Sequence, residues 1–471
     1  MTNAHIAYRR DERFQHTYVI GATGSGKSTL LLNLMTQDIH HGYGIIVLSP
    51  EEDLFVRLLA YIPESRKNDL IYVDPHDIKP PVIGFNPFTL EEGEDLTTKA
   101  GETMTVIVRA LGELGVSMEP LMKNAVYALL QLPKSTIADL EHLLDPKDPT
   151  VRRIIAKTAT VDDRTRKFWT NYEKETYYHR SVPAVVNRLD IFFRDPLSTI
   201  LSTPALSFKQ EMNKARRIIF LNVSELRDRM QECTGQLLLA QIQQGLLSRN
   251  KISERHRIPY YLYIDEFQTF AEHSGESLRN LFNGARKFKL AVTLAHQTTA
   301  DIPTRLLRII TDNAGTKICR RLEADDAALF AKMLQIRRPD STAYAPEILQ
   351  NLTRADAYVS TPSHRIGVHV AIPRNPIVRM PVHTPKDQLI RLSKRNYGLT
   401  PVAEPAAVSP DTQQEHVAEN EPPKKQTQQR GLSAGVYRIE KLDEKPEKSD
   451  TSGRKRNRFD DDAADPEIEV C

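Results

Sequence analysis

A chain of 471 residues, 40% hydrophobic and 27% charged, is long enough to bury a large core in two or three domains. Its formal charge of +3 is near neutral for that length, so any surface for nucleic acid must be local. Cys233, Cys319 and Cys471 have neither metal-ligand spacing nor a disulfide framework, no apolar run approaches the ~18–20 residues of a membrane span, and Arg9, Arg10, Asp11 and Glu12 exclude a signal peptide at the start. A reducing, cytosolic compartment follows.

The first strand-length apolar run is Thr17–Ile20. It leads into residues 21–28, GATGSGKS, which fit the phosphate-binding pattern G-x-x-x-x-G-K-[ST] at every fixed position. Gly21, Gly24 and Gly26 leave room for a tight turn. The N–H groups from Gly21 through Ala22, Thr23, Gly24, Ser25 and Gly26 to Lys27, Ser28 and Thr29 can then wrap a phosphate chain. Lys27 supplies charge at the β/γ-phosphates, and the Ser28 hydroxyl can ligate Mg²⁺. Leu30, Leu31, Leu34 and Met35 then follow helical spacing. Strand, glycine loop, helix is the context the motif requires.

Further strand-length runs lie at Ile45–Leu48 and Leu70–Val73. Residues 92–205 differ, because amphipathic helix patterns dominate. One is Leu121, Ala125, Ala128, Leu129 and Leu132; others start at Val151 and Val185. An all-helical insertion between two strands is expected there. Runs resume at Ile218–Val223, Tyr260–Ile264, Leu290–Ala295, Thr316–Cys319 and Ala357–Ser360. Several are apolar throughout, as parallel strands buried on both faces are. The fold class is α/β: a P-loop core over residues 1–91 and 206–384, interrupted by the helical insertion. Residues 385–471 are expected to be a disordered tail, with 401–471 rich in Pro, Glu, Gln, Lys, Asp and Ser.

A P-loop needs a carboxylate for Mg²⁺ and a group that activates water. Asp265 and Glu266 close the run YYLYI and are placed for these two tasks. Gln297, after the run ending LAH, is either a γ-phosphate sensor or a polar loop residue. Arg286 follows the apolar stripe Leu278, Leu281, Phe282 and Ala285 and lies off it, so it is a surface arginine or a finger reaching a neighbouring subunit. A GTPase would need N-K-x-D, and the nearest string, Asn187–Asp190, lacks the lysine. The L-S-G-G-Q signature of ABC ATPases is absent. Between Gln268 and the tail there are too few residues for the second RecA-like domain of a superfamily 1 helicase.

The ordered set of Arg13…His16, IGATGSGKST, GFNPF (84–88), Phe168-Trp169, FLNVS (220–224), YIDEFQTF, GARKF, LAHQT and DNAGT (312–316) resembles the HerA/FtsK superfamily of DNA-pumping ATPases over residues 1 to about 375. Within it the chain is most similar to the TraD/TraG-like conjugative coupling ATPases of type IV secretion. The resemblance implies a hexameric ring with a RecA-like core and an all-α domain. It implies ATP and Mg²⁺ as ligands and DNA as partner, with a relaxase or secretion-channel component as a further one. It matches Lys27 and Ser28 to the phosphate and metal residues. Asp265 and Glu266 match the acidic pair, Gln297 the sensor and Arg286 the trans-acting arginine. Three departures stand out: no transmembrane helices precede the core, the β-barrel of HerA is missing, and Ser49-Pro50-Glu51-Glu52 replaces a D-P-H-G string. A cytoplasmic protein, held at the inner membrane only through a partner, is expected. Basic stretches that could grip DNA are Arg286–Lys289, Arg249–Arg257, and Arg164, Arg166 and Lys167. The expected function is a DNA translocase that feeds a transfer machinery. The alternatives are a HerA-like motor in repair or phage defence, and an ATP-gated recruitment platform.

Overall fold

The structure is a computed structural model. It describes residues 7–90, 94–111, 118–174, 179–180, 182–204, 206–226, 228–270, 279, 281–282, 284–338, 341–379, 384–401 and 468–469. In chain order its strands are β1 (Ala7–Tyr8), β2 (Thr17–Ile20), β3 (Gly44–Ser49), β4 (Leu70–Val73), β5 (Ile218–Asn222), β6 (Tyr260–Ile264), β7 (Leu290–His296), β8 (Thr316–Cys319), β9 (Asp356–Ser360), β10 (Val368–Ala371) and β11 (Ile468–Glu469). Nine form one sheet in the order β10-β9-β8-β2-β7-β6-β3-β5-β4. From β8 across to β4 every pairing is parallel. β9 and β10 extend the β8 edge antiparallel. β1 and β11 form a separate short antiparallel pair. All eight apolar runs read from the sequence are strands. β10 was not foreseen, because its burial is partial and its four residues carry little pattern.

The continuous hydrophobicity of these runs has a direct cause. Successive strand residues point to opposite faces, and both faces are covered. Tyr18, Ile20, Ile46, Leu48, Leu262 and Ile264 pack on one side, against the helix Asp228–Leu247 and the helical segment. Val19, Ile45, Val47, Tyr261 and Tyr263 pack on the other, against the helices Lys27–His40 and Glu52–Leu59.

Between β4 and β5 the described residues form helices, turns and isolated bridge residues but no strand. The longer helices are Leu96–Leu111 and Met118–Gln131; Ile137–Leu144, Thr150–Lys157, Asp163–Asn171 and Val182–Leu189 follow. The stripe Leu121, Ala125, Ala128, Leu129 and Leu132 is buried as its spacing requires. Ile154 is exposed, since Val151 and Ile155 take the inner side of their helix. Side chains cap several of the starts, among them the reciprocal Thr136–Asp139 pair and Asp162, which accepts from the Thr165 N–H. The helices share one continuous core with the sheet, and Gln244 of Asp228–Leu247 donates to the Glu102 carbonyl at 2.9 Å.

The tail boundary needs correction. Residues Lys386–Tyr397, expected to belong to a tail beginning at 385, form a helix docked on β4. Leu389 is buried, the Tyr72 N–H donates to Ser393 Oγ at 2.7 Å, and Lys394 pairs with Asp77 at 2.8 Å. Leu399 exchanges backbone hydrogen bonds with Val82. A sparse stripe on a polar helix still docks when a sheet edge offers it a complementary surface. Residues 402–467 lie outside the described residues.

Candidate nucleotide site

The candidate site sits at the carboxyl end of three adjacent parallel strands, where ligands of open α/β sheets bind. Ile20 pairs with His296 across β2 and β7, and Leu294 with Ile264 across β7 and β6. The loops after β2, β7 and β6 therefore leave the sheet side by side. They carry the glycine loop, Gln297, and Asp265 with Glu266. Residues placed far apart in sequence meet here: Lys27 Nζ donates to Glu266 Oε1 and lies 3.4 Å from Asp265 Oδ1. Gln297 Nε2 donates to Glu266 Oε1 at 3.1 Å, and Thr23 Oγ1 donates to Gln297 Oε1 at 2.6 Å. Gln268 Nε2 holds the other Glu266 oxygen at 2.7 Å.

The loop needs its glycines. Gly26 has φ 93°, in the left-handed region that side chains disfavour, and a Cβ on Gly21 would lie 2.6 Å from Arg320 Cβ. Gly26 also precedes the helix Lys27–His40 without offering it a side-chain cap. The first-turn N–H groups, with Ser28 and Thr29 among them, are those an anion would satisfy. Glu266 itself is held at φ 43°, a conformation that costs a non-glycine residue about 1–3 kcal/mol and tends to mark functional sites.

The electrostatics separate the two carboxylates. Burial raises the Asp265 pKa to about 6, with the Glu266 charge adding and Lys27 opposing. Burial also pushes Glu266 up, but Lys27, Gln268 and Gln297 together outweigh it and hold that carboxyl below its ordinary value. Glu266 is thus kept ionised and oriented. Buried polar atoms without hydrogen-bond partners among the described residues include Asp265 Oδ2, Ser25 Oγ and Gln268 Oε1 at this site. Among the described residues no cluster of three His, Cys, Asp or Glu side chains could cage a metal. This donor set fits Mg²⁺ held by few protein groups together with phosphate oxygens, and Asp265 and Ser28 are the residues that would hold it.

Sequence reasoning missed two supports. His296 is fully buried, bonded to the Tyr18 hydroxyl, and its Nδ1 donates to the Thr298 carbonyl at 2.9 Å. Burial lowers its pKa to about 4, so it is neutral and fixes the strand end that carries Gln297. Arg320, just after β8, is also fully buried and bonds the Ser25 carbonyl. A charged residue directly after an apolar strand beside the P-loop strand was the available signal.

Arg286 is not brought into this site. It is exposed in a short turn (Arg286–Phe288) before β7, whereas Gln297 follows β7. At about 3.3 Å per residue the seven residues of β7 keep them roughly 20 Å apart. Leu278 lies outside the described residues. In two of the basic stretches some arginines are structural, while Arg164, Lys167, Lys251 and Arg255 are exposed. Arg249 is fully buried and bonds the carbonyls of Phe288 and Met212, and Arg257 bonds the carbonyls of Arg249, Ile252 and Lys287. Arg166 spends its guanidinium on the carbonyls of Ala156 and Val161.

The glycine loop between β2 and its helix, with the acidic pair two strands away, defines a RecA-like P-loop NTPase fold. No family model matches the chain, and no curated protein matches its sequence. Solved structures do match. The chain is similar to the plasmid coupling protein TrwB in complex with ADP and Mg²⁺, at 16% identity and TM-score 0.58 over 80% of this chain and 88% of that one. The same protein bound to a non-hydrolysable ATP analogue matches at 15% identity and TM-score 0.57 over 80% and 89%. VirB4 of Thermoanaerobacter pseudethanolicus matches at 14% identity and TM-score 0.53 over 76% and 89%. The fold expected from the resemblance to conjugative coupling ATPases is the fold of this chain. Among the described residues no helix is long and apolar enough to cross a membrane.

Proposed function

We propose that this chain hydrolyses ATP and works as a hexameric ring that moves DNA, or a DNA–protein complex, towards a transfer or secretion machinery. The observation that carries the reading is the Thr23–Gln297–Glu266–Lys27 network, which links the glycine loop, the strand end after β7 and the acidic pair in one chain of hydrogen bonds. A triphosphate in the loop would compete with Glu266 for Lys27. Glu266, released but still held by Gln268 and Gln297, could then accept a proton from an attacking water. Mg²⁺, held by Ser28 and Asp265, would supply charge at the phosphate oxygens. TrwB complexes with ADP and Mg²⁺ and with ATP and GTP analogues support magnesium nucleotide as ligand.

The ring reading rests on Arg286. An exposed arginine at the far end of β7 cannot reach its own subunit's phosphates, so a catalytic role for it requires a neighbour. We take residues 92–205 as the ring's all-α insertion. The deciding experiment measures ATP turnover with no DNA, with single-stranded and with double-stranded DNA, on a sample of measured mass. Turnover stimulated by DNA in a hexameric fraction supports the motor. DNA-independent turnover, with no displacement of a triplex strand, favours the recruitment platform, and no turnover at all overturns the enzyme assignment.

A further inference from the structure

Arg320 takes no part in the network above, yet it is among the largest fully buried side chains in the protein. Its Nε and Nη2 donate to the Ser25 carbonyl at 3.1 and 2.7 Å. Nη1 donates to the Asp356 carbonyl at 2.8 Å, and Nη2 also to the Arg354 carbonyl at 2.5 Å. Every one of these acceptors is neutral. Burial lowers its pKa to about 10. A buried cation satisfied only by carbonyls is expensive, and what it secures here is specific: it bolts the glycine loop to the turn 353–356.

That turn carries Arg354. Its side chain is exposed, and its Nη2 lies 3.4 Å from the position a Cβ on Gly24 would take. Gly24, at φ 71°, is in the middle of the loop. Arg321 approaches the same stretch, donating to the Thr23 carbonyl at 3.3 Å. The loop is therefore flanked by the acidic pair with Gln297 on its β7 side and by guanidinium groups on its β8–β9 side. An arginine on an unsupported surface turn would sample many positions. This one has its own carbonyl pinned by the residue that also pins the loop.

We propose that Arg354 is a second same-subunit cation for the phosphate chain of a bound nucleotide, and that Arg320 is the positioning residue that holds it there. The proposal rests on the nucleotide site proposed above. A guanidinium fork matches phosphate oxygens in a way a lysine point charge does not.

Binding of fluorescent ADP and ATP analogues with Mg²⁺ tests it without recourse to turnover. Arg354→Ala should weaken both nucleotides about 10-fold or more, the loss expected for a charge-assisted hydrogen bond. Arg354→Lys should recover part of that loss, and Arg354→Gln should not. Melting without nucleotide should be unchanged by these exposed substitutions. Arg320→Lys should reproduce the loss, and adding Arg354→Ala to it should cost little more. Wild-type affinity in Arg354→Ala overturns the proposal. A fully additive double mutant overturns the positioning role of Arg320, and if Arg320→Lys does not fold, the Arg354 series alone decides. Failure of the wild-type protein itself to bind either nucleotide would instead overturn the nucleotide site.

Discussion

Lys27 lies at a charge crossroads: one buried ammonium serves Glu266 and, more distantly, Asp265. Glu266→Gln should keep Mg²⁺–ATP binding, because Asp265 and Lys27 remain, and should lower turnover on the order of 10²-fold because an amide is a poor base. Equilibrium binding beside steady-state turnover separates the two effects. A mutant that cannot bind would make Glu266 structural. His296 gives a pH prediction. Its folded pKa is about 4 against 6.5 in an unfolded chain. Between those values the unfolded chain takes up a proton that the folded one refuses, so stability falls as pH drops from 6.5 towards 4. The loss is at most about 3 kcal/mol. Denaturant unfolding at pH 7.5 and pH 5 should show His296→Gln losing less stability between the two than wild type. Lys27, Asp265 and Glu266 were legible because their motifs are local. Arg320 was not, because its acceptor Ser25 is 295 residues away in the chain.

At the scale of elements, the approach to β2 is fixed by a buried ion pair. Arg13 meets both carboxylate oxygens of Asp38 at 2.5 and 2.7 Å, and Tyr263 donates to Asp38 at 2.5 Å. The Arg13 guanidinium also stacks 3.9 Å above the Tyr261 ring. One pair thus joins the N-terminal segment, the helix after the glycine loop and β6. Asp38→Asn leaves a buried guanidinium without its counter-charge and should cost about 3–5 kcal/mol in denaturant unfolding; a change below 1 kcal/mol would mean that the neighbourhood rehydrates. His16, three residues further on, performs a similar joining task. Its Nδ1 accepts from the Val292 N–H at 3.3 Å, and its Nε2 donates to the Phe282 carbonyl at 3.1 Å. This ties the start of β2 to the segment that leads into Arg286. Strands were easier to read than helices because continuous apolarity survives any topology. The helix Lys386–Tyr397 was lost in a polar neighbourhood.

For the whole molecule, the opposed positions of Arg286 and the glycine loop make assembly the test. ATP turnover per subunit should rise with protein concentration. Mixing Arg286→Ala with Glu266→Gln subunits should restore turnover, since some interfaces pair an intact acidic site with an intact arginine. A mixture no more active than either mutant, with subunit exchange demonstrated, would sink the trans role. The corrected boundary also changes where the chain can be cut. Ending it after Pro401 removes no residue of the proposed site and should leave turnover within about two-fold. Ending it before Lys386 uncovers β4 and removes the buried Leu389, so it should lower the melting temperature. Equal melting of the two truncations would show that the helix contributes nothing.

The sequence alone determined the P-loop, the acidic pair, the α/β class and the helical insertion, because each is encoded in adjacent residues or in a short period of hydrophobicity. Tertiary structure decided the rest. Strand order brought Gln297 between the loop and Glu266, and set Arg286 at the far end of the same strand. It buried Arg249 and Arg320, which the sequence shows only as basic residues, and it gave Arg354 a place beside Gly24. Those outcomes depend on which strands are neighbours, and pairing between segments hundreds of residues apart leaves no local periodicity to read.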